Sequence, residues 1–303
     1  MSIEQPLVSI ITVNHNQSLV TCELLQSLYN MDYKNIEIIV VDNASQSEDP
    51  SIIEHQFPHV KFIRSQRLLG FAGSINLGIS LARGVYILLL ENDVEVKSVF
   101  LEPLVNFFKE NPETGMLCPK IKNYNQPEII EFAGYTSIHR FFVSNKLIGY
   151  GEKDLGQYDT IIETDFGHKV ALMVFTEVVK KVGLLPDIYY LYYDELDWAE
   201  RIKEAGFRIF YYPKSEVYYK KLDSPGLSSS DMVYYKNRNQ ILFTRRNYKG
   251  VDKFIALLYL YNVMMPKLFL KYLITGKFAS ALAIIRGVWW NMLTFKIHIR
   301  CDL

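Results

Sequence analysis

The stretch VYILLLENDVEV, residues 85–96, decides how the rest of the chain is read. Val85 to Leu90 is apolar without the alternation of a half-exposed strand, so it predicts a strand buried on both faces. That strand ends on Glu91, Asn92 and Asp93. Side chains two apart on a strand project to the same side, so Glu91 and Asp93 can address one point. Hard carboxylate oxygens suit Mg²⁺ or Mn²⁺, and Mg²⁺ is usually held by one or two carboxylates together with substrate phosphates. A diphosphate ligand is therefore implied. The competing reading is that Asp93 caps the helix beginning near Ser98.

Upstream, the same grammar repeats. LVSIITVN (7–14), NIEIIVVDN (35–43) and VKFIR (60–64) read as strands. Helical patterns separate them at 18–29, at SIIEHQF (51–57) and at AGSINLGISLARG (72–84), where Gly84 is expected as the C-cap. SVFLEPLVNFFKEN (98–111) follows as a helix. Strands apolar on both faces that alternate with helices predict an α/β fold, a mostly parallel, Rossmann-like sheet flanked by helices. In such sheets a ligand binds where the strand carboxyl ends open into a crevice. Those ends carry Asn14-His15-Asn16, Asp42-Asn43, Arg64 and the Glu91–Asp93 turn.

From 115 to 164 the pattern weakens to short strands and polar loops, as in an acceptor-side insertion. Helical patterns return at 169–182 and 197–205, FRIFYYP (207–213) reads as a strand, and KLDSPGLSSSD (221–231) as a polar loop. The tail, 251–303, is rich in Leu, Ile, Phe, Trp and Met, with Lys or Arg at 253, 267, 271, 277, 286, 296 and 300. No uninterrupted apolar run reaches the roughly 20 residues of a spanning helix. Amphipathic helices on an anionic membrane surface fit better, and a core-capping pair or a homodimer face is the other reading. The expected division is 1–250, with a nucleotide half to about 115 and an acceptor half from 116, followed by the 251–303 tail.

The 303 residues carry 33 basic and 33 acidic side chains, which argues against a general nucleic-acid binder. Cys22, Cys118 and Cys301 form no disulfide or metal spacing, and the first residues hold Glu4 and no basic run. A reducing, cytoplasmic home without a signal peptide is expected.

Two further segments carry chemistry. LLGFAGSINLGI (68–79) is glycine-rich and opens a helix whose N–H groups can face phosphate, or simply packs close on the sheet. It lacks the P-loop lysine and the dinucleotide spacing. LYYDELDWAERI (191–202) sets Asp194, Glu195 and Asp197 beside Tyr192, Tyr193 and Trp198. Asp42 either binds a base or ribose or closes an Asx-turn.

VSIITVNHN, VDNAS, LLGFAGSINLGI, LLLENDVEV and YYDELDWAERIKEAGFRIFYYP occur in the order and spacing of glycosyltransferase family 2, and together the chain resembles it over about 6–250. YYKNRNQILF (234–243) and the basic apolar tail are similar to its bacterial rhamnosyltransferase-like members. The resemblance implies a GT-A fold with a C-terminal helical extension. It also implies an inverting, divalent-metal-dependent transfer of one sugar from a nucleotide-diphosphate sugar. A glycan or lipid-linked glycan of surface polysaccharide is the implied acceptor, with the tail on the inner face of the plasma membrane. It places Val13, His15, Asp42, Asn76 and Glu91 on the donor nucleotide, and Asp93 with Glu91 in a DxD-like metal motif. Glu195 is implied as general base with Asp194 as rival, because the family's Glu-Asp order is reversed. Asp197, Trp198, His168 and Lys169 fall on the acceptor side, with Asp197 read rather as an N-terminal helix acid that helps the dipole and orients neighbours, and Trp198 either stacked on the acceptor sugar or part of the core. Members often have glycine where Lys169 stands and histidine where Tyr219 stands, and His168 could stand in for the latter. Two other activities compete. A sugar nucleotidyltransferase would need a basic residue in the first loop, and none occurs before Lys34. A processive synthase would need Gln-x-x-Arg-Trp, which Gln240-Ile-Leu-Phe-Thr does not match. A non-catalytic scaffold of the same fold remains the alternative of another class.

Overall fold

A computed structural model describes residues 5–222 and 228–294. The elements run β1 (Val8–Asn14), α1 (Ser18–Tyr29), β2 (Ile36–Asp42), α2 (Ser51–Gln56), β3 (Lys61–Arg64), α3 (Gly70–Ile79), β4 (Tyr86–Leu90), β5 (Val94–Val96), α4 (Leu101–Glu110) and β6 (Thr114–Asn123). Then come β7 (Ile130–Phe132), β8 (Ile162–Glu163), β9 (Ala171–Phe175), α5 (Thr176–Val182), α6 (Asp194–Glu204), β10 (Arg208–Tyr219), α7 (Ser229–Asn247), α8 (Gly250–Tyr259), α9 (Met265–Ile274) and α10 (Phe278–Leu293).

The strands form a single sheet in the order β3-β2-β1-β4-β9-β6-β10-β5. β3, β2, β1 and β4 are parallel, with Asn14 opposite Asp42 and Asp42 opposite Arg64. β1, β2 and β4 are largely buried on both faces, as continuous β-branched and Leu runs require, while the edge strand β3 is partly exposed, and the carboxyl ends of all four share one edge. β9 then runs antiparallel between β4 and β6, while β10 runs parallel to β6. The architecture is thus α/β, with a parallel nucleotide-type half and a mixed second half.

Several sequence expectations are corrected here. Residues 171–175 were expected within a helix but form the central strand β9, because a fully buried apolar pentapeptide has no helical face to expose. β6 is a ten-residue central strand where the pattern suggested only short ones. α3 ends at Ile79, so Gly84 is not its C-cap. Gly84 instead lets the chain pass close to β1: its N–H donates to Ser9 Oγ at 2.8 Å, and a Cβ there would sit 2.5 Å from the Ser9 nitrogen.

The C-terminal helices build a second, smaller core on α7, around Ile241, Phe243, Leu260 and Ile284. α10 is tied to α7 through Asn291, whose Nδ2 donates to the Arg238 carbonyl at 2.9 Å. α8 and α9 join through a stretch of wider turns, Leu260–Met264, just before Pro266. A helix that accommodates proline in this way stays continuous. Gly250–Ile274 is then 25 residues long, long and apolar enough by length and composition to cross a membrane. Asp252, Lys253, Lys267 and Lys271 interrupt it, so it holds no uninterrupted apolar run of about 20 residues. Lys296 and Arg300 of the basic tail lie outside the described residues, as does 223–227 of the polar loop.

Candidate active site

At the shared strand edge lies a cleft of about 270 Å³. Its walls include Val13 and His15 from the end of β1, Phe71 at the start of α3, and Glu91, Asn92 and Asp93 after β4. Lys169 precedes β9, Tyr190 and Leu191 precede α6, and Tyr219 ends β10. Residues distant in sequence meet because parallel strands end together. A larger hollow of about 470 Å³ beside Lys97 and Glu216 lies away from these strand ends and contains none of these groups.

The Glu91–Asp93 turn is pinned from two sides. The Glu91 N–H donates to the Val170 carbonyl at 3.0 Å, and the Asp93 carbonyl accepts the Lys220 N–H at 2.8 Å. Asp93 is only 5 % exposed, and one of its carboxyl oxygens accepts the Leu222 N–H at 3.0 Å. Burial, and then the Glu91 charge, push its carboxyl up to about 6. Asp93 therefore does not cap α4, whose flanking residue is Phe100.

Lys169 pairs with this turn and lines the same cleft. Its ammonium lies 2.6 Å from Glu91 Oε1, with a third of the side chain still exposed. Burial opposes the charge, but the Glu91 carboxylate outweighs it and holds the lysine above its ordinary range. Burial, followed by the Glu91 and Asp93 charges, raises the Tyr219 hydroxyl above its ordinary range.

His15 lines the cleft, with Nδ1 2.8 Å from the Asn43 carbonyl. Asp42 is corrected: it is wholly buried, accepting from Asn14 Nδ2 at 2.8 Å and from the Ser45 N–H at 3.1 Å. It closes the Asx-type turn and anchors a buried chain. Thr21 Oγ1 donates to Asn14 Oδ1 at 2.8 Å, and Asn92 Nδ2 donates to Thr21 Oγ1 at 3.2 Å. Asp42 thus positions the acidic turn and presents no surface to a base. Asn76 is corrected too. Its amide exchanges two hydrogen bonds with the Leu185 backbone, at 2.8 and 3.0 Å, and joins α3 to the 185–193 loop.

The Asp194–Glu195 pair opens α6, preceded by three left-handed residues, Tyr190, Tyr192 and Tyr193. Such φ values strain tyrosine and persist only when surroundings over-determine them. The surroundings are α7 side chains that the sequence reading left without a role. Asn239 Nδ2 lies within 3.1 Å of the carbonyls of Tyr189, Leu191 and Tyr192, and Arg238 donates to those of Ile188 and Tyr189. The available signal was a fully polar Asn-Arg-Asn run (237–239) interrupting the apolar face of a helix.

Burial lifts the carboxyls of both Asp194 and Glu195 above the usual range, Glu195 further through the Asp194 charge. Glu195 Oε2 is buried and receives no donor from the protein.

The other acceptor-side expectations are corrected. Trp198 is 0 % exposed and donates its indole N–H to the Gly183 carbonyl at 2.9 Å, so it is core and stacks on no ligand. Asp197 is buried under Tyr189, Arg246 and Asn247, which donate to its Oδ2 at 2.7–3.0 Å. Burial opposes its ionisation, but Arg246 and these donors hold it below the ordinary range. It ties α6 to α7. His168 packs its ring against Phe132 and Tyr135 and accepts the Val170 N–H through Nδ1 at 3.3 Å. Burial drives it down to about 4, so it is neutral, and it does not line the cleft in place of Tyr219.

Comparison with known proteins bears on this edge. Residues 9–165 match the profile described as glycosyl transferase family 2. The chain is 24 % identical over 251 residues to the low-salt glycan biosynthesis hexosyltransferase Agl10 of Haloferax volcanii, covering 81 % of this chain and 78 % of that one. It is 19 % identical over 247 residues to the N-acetylglucosaminyl-diphospho-decaprenol L-rhamnosyltransferase of Mycobacterium tuberculosis, covering 75 % and 80 %. Among solved structures, the mannosyltransferase PcManGT of Pyrobaculum calidifontis, in complex with GDP-Man and Mn²⁺, superposes with a TM-score of 0.58 at 16 % identity over 96 % of this chain and 88 % of that one. S. aureus TarS 1–349 with UDP-GlcNAc gives 0.58 at 17 %, over 93 % and 81 %.

Proposed function

Because the chain belongs to glycosyl transferase family 2 and is a glycosyltransferase, we propose that the strand-edge cleft takes a nucleotide-diphosphate sugar and passes one sugar to an acceptor hydroxyl with inversion. The observation that carries this reading is the acidic pair Glu91/Asp93 in the cleft wall, with the second pair, Asp194/Glu195, opening α6 three residues after the lining residue Leu191 and outside the lining itself.

Inverting transfer needs a base for the acceptor hydroxyl and charge stabilisation for the departing diphosphate. Glu195 is our assignment for the base, working as a pair with Asp194. The pair holds one proton and one negative charge. As the acceptor oxygen bonds to the anomeric carbon and the carbon–oxygen bond to the diphosphate breaks, the hydroxyl proton passes onto the pair. The unsatisfied Glu195 Oε2 is a buried acceptor that such a hydroxyl would satisfy. His15 and Val13 face the donor. Asp42 and Asn76 hold the loops that do so.

For a divalent cation, the donor set fits at Asp93, a hard carboxylate in the cleft wall, and less well at Glu91, whose Oε1 already contacts an ammonium. Among the described residues no third His, Cys, Asp or Glu completes a group, so substrate phosphates would supply the remaining ligands. When bound, the ion supplies positive charge to the leaving diphosphate.

The acceptor reading rests on the tail. Val251, Phe254, Leu270, Ile274, Phe278 and Trp289 are exposed large apolar side chains on helices that also carry Lys253, Lys267, Lys271 and Lys277. A basic, apolar face of this kind suits an anionic lipid surface and a lipid-linked glycan acceptor. The test is donor turnover with UDP-, GDP- and dTDP-sugars, with Mn²⁺ and with EDTA, followed by co-sedimentation with anionic vesicles before and after removal of 251–303. A protein that neither binds nor consumes any of these sugars is a scaffold, not an enzyme.

A further inference from the structure

We infer that Lys169 is a built-in cation for the donor diphosphate, sharing with a bound metal the task of neutralising the leaving group. This deepens the nucleotide-sugar reading and rests on it. A cleft that receives a diphosphate must offer positive charge, yet its wall contains the carboxylates of Glu91 and Asp93. Among the described residues lining it, Lys169 is the one lysine or arginine.

The ammonium is placed for that task. It is held by Glu91 Oε1 at 2.6 Å and lies over the face of Phe71, 5.8 Å from the ring centre, at the first turn of α3. A third of the side chain stays open to the cleft. Its positive charge favours the ionised forms of Asp93, Asp194 and Glu195. It shares the cleft lining with Glu91 and Asp93, where a diphosphate would meet it.

Glu91 alone does not account for the lysine. An exposed partner could neutralise Glu91 from outside, whereas Lys169 is itself a cleft-lining residue, two positions before β9, the strand that runs beside β4. Ammonium N–H groups donate to phosphate as they do to carboxylate, and one such charge-assisted bond is worth roughly tenfold or more in binding. Part of the metal's work is thereby covalently attached to the fold. Glu91 becomes the holder of the lysine.

The experiment measures UDP, GDP and dTDP binding by calorimetry to the full chain, in EDTA and in Mn²⁺. The protein should bind its preferred nucleoside diphosphate in EDTA. Lys169→Met should weaken that metal-free binding roughly tenfold or more, and weaken binding in Mn²⁺ by a smaller factor. The double variant Lys169→Met/Glu91→Gln removes the bare carboxylate as well. It should remain as weak in EDTA as the single variant. Recovery in the double variant would overturn the inference, because the loss would then come from an uncompensated Glu91. Undiminished metal-free binding by Lys169→Met would overturn it too. Binding of the unaltered protein only with Mn²⁺ overturns this inference and leaves the donor reading intact, whereas no binding under either condition overturns both.

Discussion

The two acidic pairs of this edge are built to opposite designs. Glu91 and Asp93 lie two apart on the turn after β4, face the cleft, and are compensated by an ammonium at 2.6 Å. Asp194 and Glu195 are adjacent at the start of α6, are both raised by burial, and have no direct ion pair among the described residues. The first pair has a cation against it. The second has none, and burial disfavours its charged form. A pair that holds charge suits binding an ion or a phosphate, and a pair poised between charge states suits moving a proton.

The sharpest way to break this contrast is to remove the proton acceptor. Glu195→Gln should lower turnover by roughly 10²–10⁴, the range of general-base catalysis, while donor binding by calorimetry stays within about twofold. Asp194→Asn should be impaired as well, since it abolishes the partner that shares the proton. If Asp194→Asn is dead and Glu195→Gln is fully active, the two roles are exchanged.

Next in size is the binding pair. Asp93→Ala should lose metal-stimulated nucleotide binding by roughly tenfold or more, with the chemical step tested at saturating donor. An unchanged metal response would place the ion elsewhere and leave the cleft without its expected acid.

The third effect is on the scaffold beneath the second pair. Asn239→Ala removes the amide that donates to the carbonyls of Tyr189, Leu191 and Tyr192. Buried carbonyls without donors cost about 1–3 kcal/mol each, so thermal or urea denaturation should register a loss of about 2 kcal/mol or more. Turnover should fall at the same time, because the left-handed tyrosines that aim Asp194 and Glu195 lose their hold. A variant that loses stability but keeps full turnover would show that the loop is aimed by α6 alone.

The same contrast explains what could be read from the amino acids. The parallel half was legible because β1, β2 and β4 are apolar on both faces and end in polar residues, a pattern that survives any packing detail. The mixed half was not. A pentapeptide such as Ala-Leu-Met-Val-Phe (171–175) is equally compatible with a buried helix turn and a central strand, and only pairing with β4 and β6 decides it. Glu91, Asp93, Asp194 and Glu195 stand out in the sequence as carboxylates at element ends. The surroundings of their neighbours are not legible there, because residue type does not report direction. Trp198 and Asp197 are buried on α6, Asn76 turns to the Leu185 backbone, and Lys169 turns to Glu91. The positioning residues Arg238 and Asn239 act on backbone carbonyls, which no side-chain pattern can name.

His168 provides the smallest and most specific test, because it separates a structural histidine from a ligand. Its ring lies between aromatic neighbours and is neutral, with burial driving it down to about 4 from an ordinary 6.5. A histidine depressed in the folded state binds its proton more readily when unfolded. Its contribution is therefore complete above pH 6.5 and is lost as the pH falls toward 4. His168→Phe keeps an aromatic ring beside Phe132 and Tyr135 but removes the titrating nitrogen and the acceptor for the Val170 N–H. The variant should start somewhat less stable at pH 8, yet lose less between pH 6.5 and 4 than the unaltered protein does. Nucleotide binding in Mn²⁺ should stay within about twofold, since the imidazole does not line the cleft. Parallel stability curves for the two proteins would show that the ring is not buried neutral. Lost metal-dependent binding would return His168 to the side of the ligands, in place of the histidine that Tyr219 replaces.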